Sequence, residues 1–101
     1  MSEMKLIPDK KLKVTDLPAP GANWDAIQEF ALTFDGYKVW GSFEKCAEVA
    51  NAHRHGTLTE LRTCLFFEQR RYRHSDQIPD EEGMAYIRCL VGKIQQKIAT
   101  H

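Results

Sequence analysis

The stretch TLTELRTCLFFEQRRYRH, residues 57–74, constrains the fold more than any other part of the chain. Thr57 followed by Glu60 is the capping-box pattern that starts a helix. At about 100° per residue, one side of this helix carries Leu58, Leu61, Leu65 and Tyr72. Phe66 and Phe67 point in two other directions, so the middle of the helix is apolar nearly all round. Such a helix is typical of a buried central position rather than of a surface.

The other predicted elements are three helices and an N-terminal arm. Three prolines and one glycine interrupt residues 1–22, which predicts an extended arm. Within this arm, Lys11 to Val14 are predicted to form a short edge strand or to remain irregular. Asn23 is a suitable N-cap for a first helix over residues 24–34, which Gly36 would end in the left-handed conformation. We expect Ser42 to cap a second helix, with the inward face Phe43, Cys46, Val49, Ala50 and His53, and we assign no structure to Tyr37 through Trp40.

The last predicted helix opens at Pro79 and Asp80. Its acidic first turn, Asp80 to Glu82, suits the positive end of a helix dipole. One apolar stripe follows, made of Met84, Ile87, Leu90, Val91, Ile94 and Ile98. Gly83 and Gly92 weaken this helix, and we interpret both as sites where another backbone approaches closely. The prediction is an all-α, bundle-like domain of four helices over residues 23–101 with the third helix at its centre.

Charge and cysteine content narrow the class of protein. The net charge is zero with neutral histidines, so no global field attracts nucleic acid or a membrane. Residues 53–74 form the one basic block, with five arginines against two glutamates. Three cysteines without a close pair (Cys46, Cys64 and Cys89) indicate reduced thiols in the cytoplasm, and residues 1–11 contain no signal or membrane segment.

The candidate site lies at the basic end of the third helix. Glu68 falls on the leucine face, where a carboxylate needs a partner, and Arg71 is one turn away. We predict a shielded Glu68–Arg71 salt bridge; the alternative is a general base or ligand-binding group in a cleft. The full candidate binding set is Glu68, Arg70, Arg71, Tyr72, Arg73 and His74.

The same arginines have two explanations. They stabilise a helix C-terminus next to the acidic residues 80–82, or they bind a phosphate or another anion. A metal site is not expected, because His53 and His55 are two residues apart and the sequence lacks C-x-x-C and H-E-x-x-H spacing. No motif indicates a cofactor.

Two resemblances fall on this helix. Residues 66–74 are similar to the recognition helix of homeodomains, but Glu68 departs from it and Gln69 stands in place of the adenine-reading Asn. The likeness covers nine residues, without the basic N-terminal arm of that family, so it implies no DNA-binding domain. TFDGY at 33–37, LFFEQRRYRH at 65–74 and Pro79-Asp80 together resemble a family of small bacterial proteins without an assigned activity. That resemblance implies a bacterial, cytoplasmic, single-domain protein and nothing catalytic.

The function expected from these features is binding. We expect a small cytoplasmic module that interacts with proteins and self-associates, with Phe66 or Phe67 in a homodimer interface, and that does not act on membranes. One alternative is a nucleic-acid-binding regulator that uses the arginines of helix 57–74. A third is a small-ligand binder or an enzyme with Glu68 and Arg71 in a cleft.

Overall fold

The computed structural model describes residues 6–36, 42, 44, 45, 48, 56–75 and 77–100, and for residues 74 and 75 the backbone alone. Within these residues the chain is helical and has no strand. The α-helices are α1, Trp24–Ala31; α2, Leu58–Ser75; and α3, Glu81–Ala99. Two short 3₁₀ turns, Asp9–Lys11 and Val14–Asp16, precede α1.

Three predicted helix starts are confirmed by side-chain hydrogen bonds. The Asn23 side chain accepts from the Ala26 amide at 3.0 Å, and the Asp80 carboxylate accepts from the Gly83 amide at 2.8 Å. At α2 the capping box is complete, since the Thr57 amide donates to Glu60 Oε1 at 2.8 Å and the Glu60 amide donates to Thr57 Oγ1 at 3.3 Å. These contacts satisfy amides that a helix start leaves without partners.

The prediction of four helices is met in part. The predicted inward face of the second helix (Phe43, Cys46, Val49, Ala50 and His53) lies outside the described residues, as do Tyr37 through Trp40, whereas the described Glu44, Lys45 and Glu48 are α-helical. Ser42 Oγ accepts from the Lys45 amide at 3.2 Å, which is the contact expected of a helix-capping serine.

The end of α1 differs from the prediction. The helix stops at Ala31 rather than at residue 34, because both the amide and the hydroxyl of Thr33 donate to the Phe30 carbonyl, at 3.0 and 2.7 Å. The Thr33 carbonyl accepts from the Ile7 amide, so the chain leaves the helix to meet the N-terminal arm. Gly36 does not adopt the left-handed conformation; among the described glycines only Gly21 does, with φ +82°.

The core sits between α2 and its neighbours. Helix α2 contacts both α1 and α3 among the described helices. Leu61, Leu65, Ile87 and Val91 belong to one buried cluster, as the apolar stripes predicted. The described part of the arm belongs to this core too, because Leu12 and Leu17 are buried in it. The predicted edge strand near Lys11 is wrong, since that residue lies in a 3₁₀ turn.

Candidate functional site

The arginines at the end of α2 do not converge on one surface. The Arg70 guanidinium lies 5.8 Å from the centre of the Phe66 ring, whereas that of Arg71 lies 5.8 Å from the centre of the Tyr72 ring. Phe66 and Tyr72 are six residues apart, which places them on different sides of a helix. Arg70 is half-buried while Arg71 and Arg73 are exposed, and the side chain of His74 lies outside the described residues.

The predicted shielded pair of Glu68 and Arg71 is wrong in its burial. Glu68 is half-buried, but Arg71 is exposed and stacks against Tyr72. A guanidinium in contact with water needs no buried counter-charge, because solvent screens it. The charged side chain of this helix that is withdrawn from water is a different residue.

That residue is Arg62, whose side chain is only 1% exposed. Its Nη1 donates to Asp9 Oδ1 at 2.7 Å and to the Ile7 carbonyl at 2.8 Å. Its Nη2 donates to the carbonyl and hydroxyl oxygens of Thr33, at 3.3 and 3.1 Å. The guanidinium also lies 4.9 Å from the centre of the Phe34 ring. Every one of these groups accepts a hydrogen bond or attracts a cation, which is what a buried guanidinium requires.

The Arg62 cluster joins the arm to two helices. Thr59, one turn before Arg62 on α2, donates its hydroxyl to the second oxygen of Asp9. Burial lowers the pKa of Arg62, and the hydrogen bond and charge of Asp9 raise it again in part. We name Arg62, Thr33 and Thr59 the Arg62 slot, since together they hold Ile7 and Asp9 of the arm.

The burial of Arg62 was not predicted, because this residue lies within the basic block of residues 53–74. A signal was present, because Arg62 lies four residues after Leu58 and four before Phe66, between two apolar residues on the same side of the helix. The partner carboxylate is 53 residues away in the chain, so no local pattern identifies it.

A second buried polar residue was also missed. Gln69 is 1% exposed, and neither its amide oxygen nor its amide nitrogen has a hydrogen-bond partner among the described residues. This is the position that holds the adenine-reading Asn in the homeodomain likeness. Because Gln69 lies inside the protein, its amide does not face a surface where it could contact a base.

Phe66 and Phe67 lie largely inside their own chain. Phe66 is 6% exposed and meets the Phe34 ring edge-on, with centroids 6.1 Å apart. Phe67 is half-buried and packs against the core. The proposed interface role of Phe66 is therefore not supported by its exposure, and the homodimer remains a prediction.

An open cavity of about 510 Å³ lies where the start of α1 meets the end of α2. The Trp24 and Tyr72 rings meet edge-on beside it, with centroids 5.8 Å apart. Ile78 is 76% exposed at its edge. We call this region the Trp24–Ile78 surface; it is lined by Asn23, Trp24, Asp25, Gln28, Tyr72, Arg73, Gln77 and Ile78.

Gly83 explains how Tyr72 reaches this position. A Cβ at residue 83 would lie 2.8 Å from the Tyr72 hydroxyl, so the glycine leaves space for the ring. The predicted close approach at Gly83 is thus made by a side chain rather than by another backbone. At Gly92 a Cβ would meet nothing within 4 Å, and the prediction of a close neighbour is wrong there.

The described residues offer no metal site and no membrane-spanning segment. They contain no group of three or more histidine, cysteine, aspartate or glutamate residues able to hold an ion. Cys64 is buried and Cys89 is exposed, and neither forms a disulfide, while Cys46, His53 and His55 lie outside the described residues. None of the helices that the structure describes is both long and apolar enough to cross a lipid bilayer.

Comparison with known proteins returns no relative. No protein-family model, no curated protein sequence and no solved structure is significantly similar to this chain. The resemblance to a family of small bacterial proteins therefore stays a prediction.

Proposed function

We propose that this chain is a small protein-interaction module that self-associates through the Trp24–Ile78 surface. The observation that carries the proposal is the 76% exposure of Ile78 beside two aromatic rings. An apolar side chain this exposed, next to Trp24 and Tyr72, has the composition of an interface centre, in which tryptophan, tyrosine and arginine supply most of the binding free energy.

The charges around this surface favour a second copy of the chain as the partner. Arg73 and Asp25 are both exposed and line the same cavity. Asp80, Glu81 and Glu82 are exposed just after Ile78 along the chain. A two-fold axis brings the same patch of two subunits together, so a patch with both signs of charge can pair with itself.

Binding to nucleic acid is the second reading, and the geometry gives it less support. Arg70 and Arg71 stack on rings that lie on different sides of α2. A phosphate backbone is bound by cations that share one face. The acidic start of α3 also lies close to the basic end of α2 in the chain, and it would repel phosphates.

The cleft reading gains no support from the cavity. Neither Glu68 nor Arg71 is among the residues that line the Trp24–Ile78 surface. The charged residues that do line it are Asp25 and Arg73. These two can pair across an interface.

Light scattering coupled to size-exclusion chromatography tests the proposal. The unmodified chain should be dimeric in the micromolar range, and Ile78→Asp should shift it to monomer because a carboxylate is costly to bury at an interface. Val14→Asp is the matched control, since Val14 is another exposed apolar residue, 43% exposed, and lines a different groove. A monomeric unmodified chain, or an Ile78→Asp variant that stays dimeric, contradicts the proposal.

A separate titration with labelled duplex DNA addresses the second reading. Binding that weakens steeply with salt and is lost in Arg71→Gln with Arg73→Gln would favour a nucleic-acid regulator, because phosphate contacts release counterions. Self-association through Ile78 should depend far less on salt, since burial of apolar surface dominates it.

A further inference from the structure

The Arg62 slot binds Ile7 and Asp9 of the N-terminal arm in the way that it would bind a peptide ligand. The Ile7 amide donates to the Thr33 carbonyl at 2.7 Å, and the Ile7 carbonyl accepts from Arg62 at 2.8 Å. The Asp9 carboxylate accepts from Arg62 and from Thr59. Both backbone groups of one residue and one charged side chain are thus recognised, as in known modes of peptide recognition.

Residues 6–17 form one element with two 3₁₀ turns that packs on the helices. Besides Ile7 and Asp9, the element is attached through two buried leucines, Leu12 and Leu17. Its 3₁₀ turns form their own internal hydrogen bonds, such as Leu12 amide to Asp9 carbonyl at 3.2 Å. The element therefore keeps its internal bonds when it leaves the core, and the same residues of another copy can make all the contacts that it gives up.

The loop that follows has the properties of a hinge. Leu17 is extended, with ψ 153°, and Pro18 and Pro20 each restrict the chain to conformations near φ −65°. Gly21 has φ +82°, a value that other residues rarely adopt. The loop borders a cavity of about 200 Å³ against α3, and Arg88 Nη2 of that helix donates to the Ala22 carbonyl at the end of the loop, at 3.2 Å.

The Arg62 slot is complementary to the arm in charge and in hydrogen bonding. The Arg62 side chain is 1% exposed with Ile7 and Asp9 in place, and departure of the arm would remove its carboxylate partner and expose the guanidinium to water. When one arm leaves, the arm of a second copy has the matching carboxylate and backbone groups. Exchange of an identical element between subunits is a low-cost route to a dimer, since each contact is broken in one chain and remade in the other.

We propose that two copies of this chain exchange their N-terminal arms, so that Asp9 of one subunit pairs with Arg62 of the other. The proposal rests on the self-association proposed above and specifies the segment that each copy supplies. The Trp24–Ile78 surface would then be the additional contact that holds the exchanged dimer together.

Two charge-reversed variants of the full chain test the exchange. Asp9→Arg places two cations together within one chain, and Arg62→Asp places two carboxylates together, so each alone should melt about 10–20 °C below the unmodified protein. When the two variants are refolded together, an exchanged heterodimer has an ion pair at each of its two slots. We expect a one-to-one dimer that melts above either variant alone.

The double variant, with Asp9→Arg and Arg62→Asp in one chain, is the control for a reversed pair. If it folds, and the mixed single variants still melt separately without forming a heterodimer, the exchange is overturned. A mixed dimer with restored melting supports it, even where each single variant is unfolded by itself.

Crosslinking provides a second measurement in a chain that folds without charge reversal. Asp9→Cys and Thr59→Cys, introduced together with Cys46→Ser and Cys89→Ser, place two thiols at a contact that the structure shows. Equal amounts of ¹⁵N-labelled and unlabelled chain are refolded together and oxidised. The masses of the disulfide-linked peptides are then measured by mass spectrometry. Exchange predicts that half of the links join a labelled to an unlabelled peptide.

If every link joins two peptides that carry the same isotope label, the exchange is overturned. If the unmodified chain is nevertheless dimeric by light scattering and Ile78→Asp dissociates it, the proposed self-association stands without exchanged arms. A monomeric unmodified chain whose links all lie within one isotope contradicts both proposals.

Discussion

Arg62 and Asp9 form an ion pair with 2.7 Å between Nη1 and Oδ1, although 53 residues separate them in the chain. The pair is asymmetric, because the side chain of Arg62 is 1% exposed and that of Asp9 is 28% exposed. Removing either partner therefore has a different consequence. Loss of Asp9 leaves a buried cation, whereas loss of Arg62 leaves a carboxylate that water already reaches.

Asp9→Ala should lower the free energy of unfolding by about 3 kcal/mol, the lower end of the range for breaking a buried pair, because Asp9 itself is partly exposed. Asp16→Ala is the control in the same arm. Asp16 is exposed, and among the described residues its carboxylate accepts from the Lys13 amide alone, so its loss should cost about 1 kcal/mol or less. Urea denaturation of both variants measures the difference, and equal losses would contradict the assignment.

Adding Arg62→Met to Asp9→Ala should recover part of the lost stability. The second substitution removes the stranded cation and keeps an unbranched side chain of similar length in the slot. If the double variant is less stable than Asp9→Ala alone, the hydrogen bonds from Arg62 to Ile7 and Thr33 outweigh the cost of burying its charge.

Gln69→Met should stabilise the protein by about 1–2 kcal/mol. The Gln69 amide is buried and has no hydrogen-bond partner in the part of the chain that the structure describes, so replacement by an apolar side chain of similar volume removes a desolvation cost. Thermal unfolding followed by circular dichroism measures the change. A loss of stability would show that the amide is hydrogen-bonded in solution.

Gly92→Ala and Gly83→Ala should differ, although both glycines lie in α3. Alanine at residue 92 meets no atom within 4 Å, so it should gain about 1 kcal/mol from helix propensity. Alanine at residue 83 would lie 2.8 Å from the Tyr72 hydroxyl and 3.2 Å from Asp80 Oδ1, which offsets that gain. Comparing the two melting temperatures checks this, and an equal rise would contradict the packing of Tyr72.

Glu68→Gln should have a modest effect, of about 1 kcal/mol or less. Glu68 is half-buried and Arg71 is exposed, so the substitution leaves no buried charge alone. Arg73→Gln, at an exposed position, should change the unfolding free energy by less than about 0.5 kcal/mol. One thermal-melt series compares the two, and a loss near 3 kcal/mol for Glu68→Gln would show that a shielded pair exists after all.

The sequence by itself determined the features that depend on near neighbours. The N-cap at Asn23 and the capping box of Thr57 with Glu60 each join residues three apart, so spacing alone predicts them. The sequence places Asp80 in the first turn of α3, whereas in the structure it is the N-cap. The stripe from Ile87 to Ile94 likewise follows from helical periodicity. Both kinds of feature are set by local geometry, and both are found in the structure.

Only the tertiary structure decided which charged and polar side chains are buried. Glu68 and Arg62 both lie near apolar residues of α2, and periodicity does not tell which of them a distant segment will cover. Asp9 and Ile7 of the arm cover Arg62, while Arg71 stays in water. Burial and pairing are properties of contacts between segments far apart in the chain, and for that reason the Arg62 slot and the exposure of Ile78 appear only once the chain is folded.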